Sequence, residues 1–316
     1  MLTTQPTLLS SIRLENQNRH YHSTYTLQDI SGIKGEFSLY DNPLLKYKQH
    51  RVVCIGDYFC VDDNTMAQQL IMEMDKKCKE LGYTYIIGPM NGSTWESYRF
   101  SIESNQKTFT LDRAQPLYYN RQFKANGFEP IGAYYSSIDT TLTPRSTQIT
   151  EDYWNKRTLT IRNIRLSQLK EELYEIAVLT NAIFKDNFLF TPIQPELFVI
   201  KYLQLQSIID PQYIYIAENP KGQMLAYLFA YLDPLDDSEQ TLVIKTIAVS
   251  HTANCRGLGG YLAERVIATA KENGIKKIIH AFMHKNNISL NTSRHYGHPY
   301  KTYALYGKNL QSYKDE

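Results

Sequence analysis

Residues 244–273 read IKTIAVSHTANCRGLGGYLAERVIATAKEN. Ile244 to Val249 is β-branched and apolar, the composition of a buried strand. Ser250 to Cys255 is small and polar, so the strand ends there. Gly257, Gly259 and Gly260 then lead into a helical pattern. Leu258, Leu262, Val266 and Ala270 recur every four residues, and Ala263 and Ile267 widen the same face. Asn273-Gly274 stops the helix, glycine being suited to the left-handed residue past its end. The first turn of such a helix offers free N–H groups and the positive end of the macrodipole. Glycines let a phosphate reach those amides without a Cβ in the way.

Three phosphate-binding patterns compete for this loop. A P-loop needs Gly-Lys-Ser/Thr, and no lysine follows Gly259. A dinucleotide fingerprint needs a third glycine where Leu262 stands and an acid at the end of the next strand, but that strand ends in Met283-His284. The third pattern is Val-x-Pro-x-x-Arg/Gln-x-x-Gly-x-Gly/Ala, running from a strand into a helix. Val249, His251, Asn254, Gly257 and Gly259 follow it, and the stretch resembles motif A of the GNAT acyltransferase superfamily. His251 replaces the usual proline and Asn254 the usual Arg or Gln; Arg256, two places on, carries a charge into the same loop. After the helix, a strand at 276–284 and then Asn286, Ser289 and Gly297 keep the spacing of the family's Asn-x-x-Ser/Ala…Gly element.

Outward from this stretch, the order of elements also resembles a whole GNAT domain. A strand is expected at 159–164, then a helix over 166–187 with Leu169, Leu173, Ile176 and Leu179 as its stripe. A second helix over 196–208 follows, and then a hairpin of 213–218 and 224–232 turning at Asn219-Pro220-Lys221-Gly222. A terminal strand is expected at 301–306. The first half repeats part of the order. It has a strand at 51–60, a helix at 65–80 capped from Asp62-Asp63-Asn64, strands at 83–88 and 131–136, and Phe123, Gly127 and Phe128 in a Tyr-x-x-x-Gly-Phe-like element. It lacks loop glycines, and Asp62 and Asp63 would repel a pyrophosphate. The expected fold is mixed α/β, a mostly antiparallel sheet with flanking helices, built as two GNAT-like domains in tandem. Residues 1–145 form a degenerate GNAT-like domain, 146–157 a linker within the Ser/Thr-rich stretch 137–155, and 158–316 the acyl-CoA-binding domain.

Composition narrows the classes of partner. The chain has 316 residues, 42% hydrophobic, enough for two ordinary cores. A formal net charge of +2 argues against an extended nucleic-acid surface. Cys54, Cys60, Cys78 and Cys255 have neither metal-like nor redox spacing, so no metal is expected, and they read as reduced cysteines of a cytoplasmic protein. No apolar run is long enough to span a bilayer, and the N-terminus lacks a charged-then-apolar signal pattern.

The resemblance implies acetyl-CoA or another acyl-CoA as donor and an amine of a small molecule or peptide as acceptor. It implies that the backbone amides of Arg256, Gly257, Leu258, Gly259 and Gly260 hold the pyrophosphate, with Asn254 and Asn286 at motif positions. An amide along Ile247, Ala248 and Val249 would polarise the thioester carbonyl. The base is not evident, since Lys245 and Thr246 stand where many relatives carry a glutamate. Where the family's thiolate-protonating tyrosine falls, seven residues after Asn286, this chain has Ser293. Tyr296 close by is a substitute, and His284 at the strand end is the other titratable candidate. Residues 88–96, GPMNGSTWE, follow a strand end, and Asn91, Trp95 and Glu96 are expected to help form an acceptor pocket. Two other readings stay open: an aminoacyl-tRNA-dependent transferase, which would need no intact CoA loop, and a non-catalytic relative that binds CoA or a protein partner.

Overall fold

The computed structural model describes residues 6–13, 18–103, 106–143, 151–238 and 240–311. The first half opens with an antiparallel run of strands, β1 (Thr7–Ser11), β2 (Tyr21–Asp29), β3 (Gly32–Tyr40) and β4 (Val52–Cys60). Helix α1 (Asn64–Glu80), strand β5 (Tyr85–Gly88), the short β6 (Phe100–Ser101), α2 (Tyr118–Ala125) and the long β7 (Glu129–Asp139) follow. The second half comprises α3 (Glu151–Lys156), β8 (Thr160–Asn163), α4 (Leu169–Phe184), α5 (Pro195–Leu203), β9 (Ile214–Glu218), β10 (Met224–Leu232) and β11 (Thr241–Val249). It ends with α6 (Leu258–Glu272), β12 (Lys277–His284), α7 (Ile288–Ser293) and β13 (His298–Asn309).

All the strands join one sheet, in the order β1-β2-β3-β4-β5-β13-β7-β12-β11-β10-β9-β8, with β6 on β13. Among the described residues only β4·β5 and β11·β12 pair in parallel, each pair linked by a helical crossover, α1 or α6. The middle of the sheet is an exchange. The last strand of the second half, β13, lies against β5 and β7 of the first, and the last strand of the first half, β7, lies against β12 of the second. The two halves share a continuous backbone ladder there, so the tandem is one sheet rather than two beads on a linker.

The apolar stripes read from the sequence are buried, except that Leu179 of α4 is half-buried. Leu258, Leu262, Val266, Ala270, Ala263 and Ile267 pack α6 onto one face of the second half. Leu173, Ile176 and Ala177 of α4 and Phe198 and Tyr202 of α5 cover the opposite face. Leu70, Met74 and Cys78 of α1 join Tyr119 and Phe123 of α2 against the first half, and Asp63 caps α1 by accepting from the amides of Thr65 and Met66.

The stretch expected as a linker differs. Ser137–Asp139 belongs to β7, and residues 151–156 coil into α3, whose Trp154 is fully buried against Tyr261 of α6 at 5.7 Å between ring centroids. A tryptophan in a polar stretch buries a large apolar area wherever the chain can reach a core; residues 144–150 lie outside the described residues.

Lys301 of β13 meets Asp112 at 2.5 Å, with both side chains at most 3% exposed. Burial raises the Asp112 carboxyl, and the Lys301 hydrogen bond and charge oppose that. Removing one partner of a buried pair leaves an uncompensated charge, so Lys301→Met is expected to lower unfolding stability by about 3–5 kcal/mol. Adding Asp112→Leu should recover most of it in urea titrations.

Candidate active site

The parallel pair β11·β12 pairs only from Thr241↔Lys277 to Ile244↔His280. Beyond that, β11 runs on to Val249 along β10, and β12 runs on to His284 along β7. The two strands therefore splay, and from Lys245 onward no described strand pairs with the β12-facing edge of β11. Main-chain N–H and C=O groups on that edge are left to bond something else. Bulges at the fork reinforce it. Lys245 is the extra residue of β11 where the β10 register shifts, and Ala281-Phe282 bulge out of β12, with Phe282 at φ +54°.

The splay leads to the N-terminus of α6. Gly257 sits at φ +89° as the N-cap and, having no side chain, supplies no capping bond. The first turn's amides thus keep free hydrogens. A Cβ on Gly260 would meet nothing within 4 Å, so its amide faces open space, whereas a Cβ on Gly259 would meet Val249 and Ile247 of β11 at 3.3 and 3.4 Å. Asn254, Arg256 and Asn286 are exposed around this end. Uncapped amides, clear approach and an arginine suit a pyrophosphate, and the free edge of β11 suits an amide-bearing arm below it. Cys255 is buried beside the Thr252 hydroxyl and takes no part in that surface.

The first half has the same fork, and its own chain fills it. Pairing of β4 and β5 stops at Cys54↔Ile87. There the Met90 amide donates to Ile55 O at 2.7 Å, and Asn91 Nδ2 donates to Asp57 Oδ1 at 2.9 Å. A Cβ on Gly56 would lie 2.1 Å from Asn91 Oδ1. Asn91 thus serves β4 of the first half. Trp95 and Glu96, by contrast, reach the second half. Trp95 Nε1 donates to Thr191 O at 2.8 Å, its ring packs edge-on to Phe190 and Phe198, and Glu96 pairs with Lys201 of α5 at 2.7 Å.

On the α5 side of the fork stands Lys245. Its ammonium donates to Tyr202 Oη at 2.6 Å, and Tyr202 stacks on Phe198 with centroids 4.1 Å apart. Burial pushes the Lys245 amine down to about 8; the nearby Arg99 charge adds to this and Tyr98 opposes it. Burial also pushes the Tyr202 phenol up, so that it stays protonated and able to donate back to a neutral amine. The sequence showed a lysine at this position but neither the bulge that turns it toward α5 nor its tyrosine partner.

The three catalytic candidates are spread around the fork rather than gathered in it. Ser293 is buried, and its hydroxyl bonds that of Ser137 on β7. Tyr296 donates to Glu264 of α6 at 2.5 Å and stacks on His280. His284 is sandwiched by Phe188 and Tyr134 and accepts the Asn286 amide at 3.3 Å, while burial lowers its pKa.

His280, the last paired residue before the fork, is buried, and burial holds its pKa near 4 against the ordinary 6.5, with Asp139 pulling weakly upward. Above pH 6.5 the ring is neutral in both folded and unfolded chains. Between pH 6.5 and about 4 the unfolded chain takes up a proton that the folded chain refuses, so stability falls as pH falls through that window. At about 1.4 kcal/mol per pH unit the loss is about 3 kcal/mol. Urea melts across the window measure it, and His280→Leu should lower the slope by about one proton.

Residues 179–297 match the family model described as Acetyltransferase (GNAT) family. No curated protein sequence matches the chain. Among solved structures, a GCN5-related N-acetyltransferase from Sphaerobacter thermophilus superposes with a TM-score of 0.55 at 12% identity, covering 92% of this chain and 81% of its own. A tandem GNAT protein from the clavulanic acid biosynthesis pathway gives 0.52 at 8%, covering 93% and 85%. A GCN5-related glucosamine N-acetyltransferase region of a fungal multi-domain β-N-acetylglucosaminidase gives 0.56 at 14%, covering 90% of this chain and 33% of that one. At these identities the likeness is one of fold.

Proposed function

Since the chain is a member of the GNAT superfamily, with its GNAT domain at 179–297, we propose that it moves an acyl group, acetyl in the first instance, from coenzyme A to an amine by direct attack. The observation that carries this reading is the β11·β12 fork opening onto an uncapped, glycine-led helix end. The donor supplies an activated thioester; this chain's residues do the rest. Amides of residues 256–260, helped by the Arg256 charge, hold the pyrophosphate. The free edge of β11 over Ile247, Ala248 and Val249 carries the amide that polarises the carbonyl.

The acceptor approaches from the α5 side, where Trp95 and Glu96 form part of the wall. A substrate ammonium is not nucleophilic, so a proton must leave it before attack. Neutral Lys245 takes that proton, and the Tyr202 hydroxyl steadies the amine and then the ammonium. As the N–C bond forms and the C–S bond breaks, the nitrogen's second proton goes to the departing thiolate, giving amide and thiol, and the first leaves Lys245 to solvent. The four buried, unpaired cysteines fit a reducing compartment, and we place the protein in the cytoplasm on that ground.

Calorimetry with acetyl-CoA and CoA, followed by thiol release on an amine panel, tests the reading. Binding without turnover on any amine would favour the non-catalytic relative, and absence of binding would favour the aminoacyl-tRNA-dependent one.

A further inference from the structure

Three ion pairs line the acceptor side of the fork: Asp112 with Lys301 at 2.5 Å, Glu96 with Lys201 at 2.7 Å and Asp57 with Arg113 at 3.4 Å. Beside them stand two basic side chains with no acidic partner within 4 Å among the described residues. One is Lys245, bonded only to a phenol. The other is Arg99.

Arg99 is held with care. Its backbone sits at φ +67°, a conformation that ordinary side chains rarely adopt, and its amide donates to Pro89 O at 2.9 Å. The guanidinium lies 3.7 Å from the Phe282 ring centroid, 4.2 Å from Tyr98, 5.3 Å from Tyr303 and 5.4 Å from Tyr134. Those rings come from four separate segments, and two of the strands they ride on are the exchanged β7 and β13. Aromatic faces attract the cation, but they take none of its in-plane N–H bonds. Nη1 is buried with no hydrogen-bond partner among the described residues. A buried donor left this way is costly, and the hydroxyl of Tyr134 beside it is also buried without a partner among the described residues.

A pocket of about 40 Å³ adjoins it, lined by Glu96, Tyr98, Arg99, Asp112, Arg113 and Tyr303. That is room for a small polar group, given ~10–15 Å³ for one water. With Lys245 neutral, a simple monoamine would set a second positive charge beside Arg99. An acceptor that also brings a carboxylate cancels one of them, and a carboxylate matches the guanidinium fork geometrically.

We propose that the acceptor is an amino-carboxylate, and that Arg99 holds its carboxylate while Lys245 faces its amine. This rests on the acyl-transfer reading above and specifies its substrate class.

The test uses the full chain with acetyl-CoA, the common L-amino acids and their primary amides, with thiol release as readout. The acids are expected to exceed their amides at least tenfold in kcat/KM, mainly through KM. In Arg99→Met the ratio should fall toward one, and in Arg99→Lys part of it should return. Acetyl-CoA affinity by calorimetry should stay level in both variants. Equal use of acids and amides by the wild type, or a preference that survives Arg99→Met, overturns the proposal. So does a preference that appears on the donor instead, with succinyl-CoA favoured over acetyl-CoA. If acetyl-CoA binds but no acceptor turns over, the transfer reading fails separately. Tryptophan-fluorescence titration with N-acetyl-L-amino acids against their amides then decides: tighter binding of the acids, lost in Arg99→Met, supports the carboxylate site, and equal binding sinks it.

Discussion

Gly260→Glu is expected to weaken acetyl-CoA binding at least a hundredfold while leaving the thermal midpoint within a few degrees. Of the three glycines at the start of α6 it is the clean one to change. Gly257 needs its left-handed φ of +89°, so any side chain there is strained, and Gly259 packs within 3.4 Å of Ile247 and Val249. Gly260 is helical and faces open space, so a side chain costs the fold little. A glutamate there would fill the phosphate's approach and set a carboxylate against it. Like charges within a few ångströms repel, and the amides that would have served the phosphate would be satisfied by the new side chain instead. Calorimetry on the folded variant measures the loss. Unchanged affinity would mean that these glycines serve only to let α6 pack.

The second large effect falls on Lys245. Lys245→Met should lower kcat by about 10²–10⁴-fold, the range in which a positioned general base contributes. Acetyl-CoA affinity should hold, since no phosphate contact is touched. The wild type should show a limb in kcat against pH at about 8. Below it the amine is protonated and cannot accept, so the rate should fall tenfold per pH unit, and the limb should vanish in the methionine variant. Lys245→Glu places a carboxylate where many GNAT relatives carry one. It should restore part of the rate and move the limb several pH units toward acid. A methionine variant that keeps the wild-type rate would assign the proton to a water chain.

The glycine loop and its flanking strand and helix were legible because three local signals agree there: a β-branched run, a glycine punctuation and a four-residue apolar repeat. The hairpin of β2 and β3 was not. Ser23 is buried on one of its faces and Thr24 and Ser38 on the other, the latter two bonding each other at 2.8 Å, so burial does not follow hydropathy as in a half-buried strand. Trp154 looked like part of a linker because the residues around it are polar. The strand–helix–strand run around the glycine loop implies a parallel pair, but not the splay of that pair or its furnishing. Lys245 gains its role from a bulge that shifts register by one residue. Arg99 gains its own from rings at positions 98, 134, 282 and 303, which no spacing rule brings together.

The exchange of β7 and β13 has a consequence for how the chain can be divided. Each strand finds its longest ladder on the other, from His298↔Ile138 to Gly307↔Glu129. Break the peptide chain anywhere between Asp139 and Glu151 and neither product closes its own sheet. The amino-terminal piece has lost the strand between β5 and β7, and the carboxy-terminal piece has lost the neighbour of β12. The nicked molecule should therefore travel as one particle on a sizing column and separate only in denaturant. Encoded as two genes and co-expressed, the pieces would be an obligate heterodimer, each insoluble without the other. The covalent link is then a matter of stoichiometry, and the sheet itself is what makes two halves one molecule.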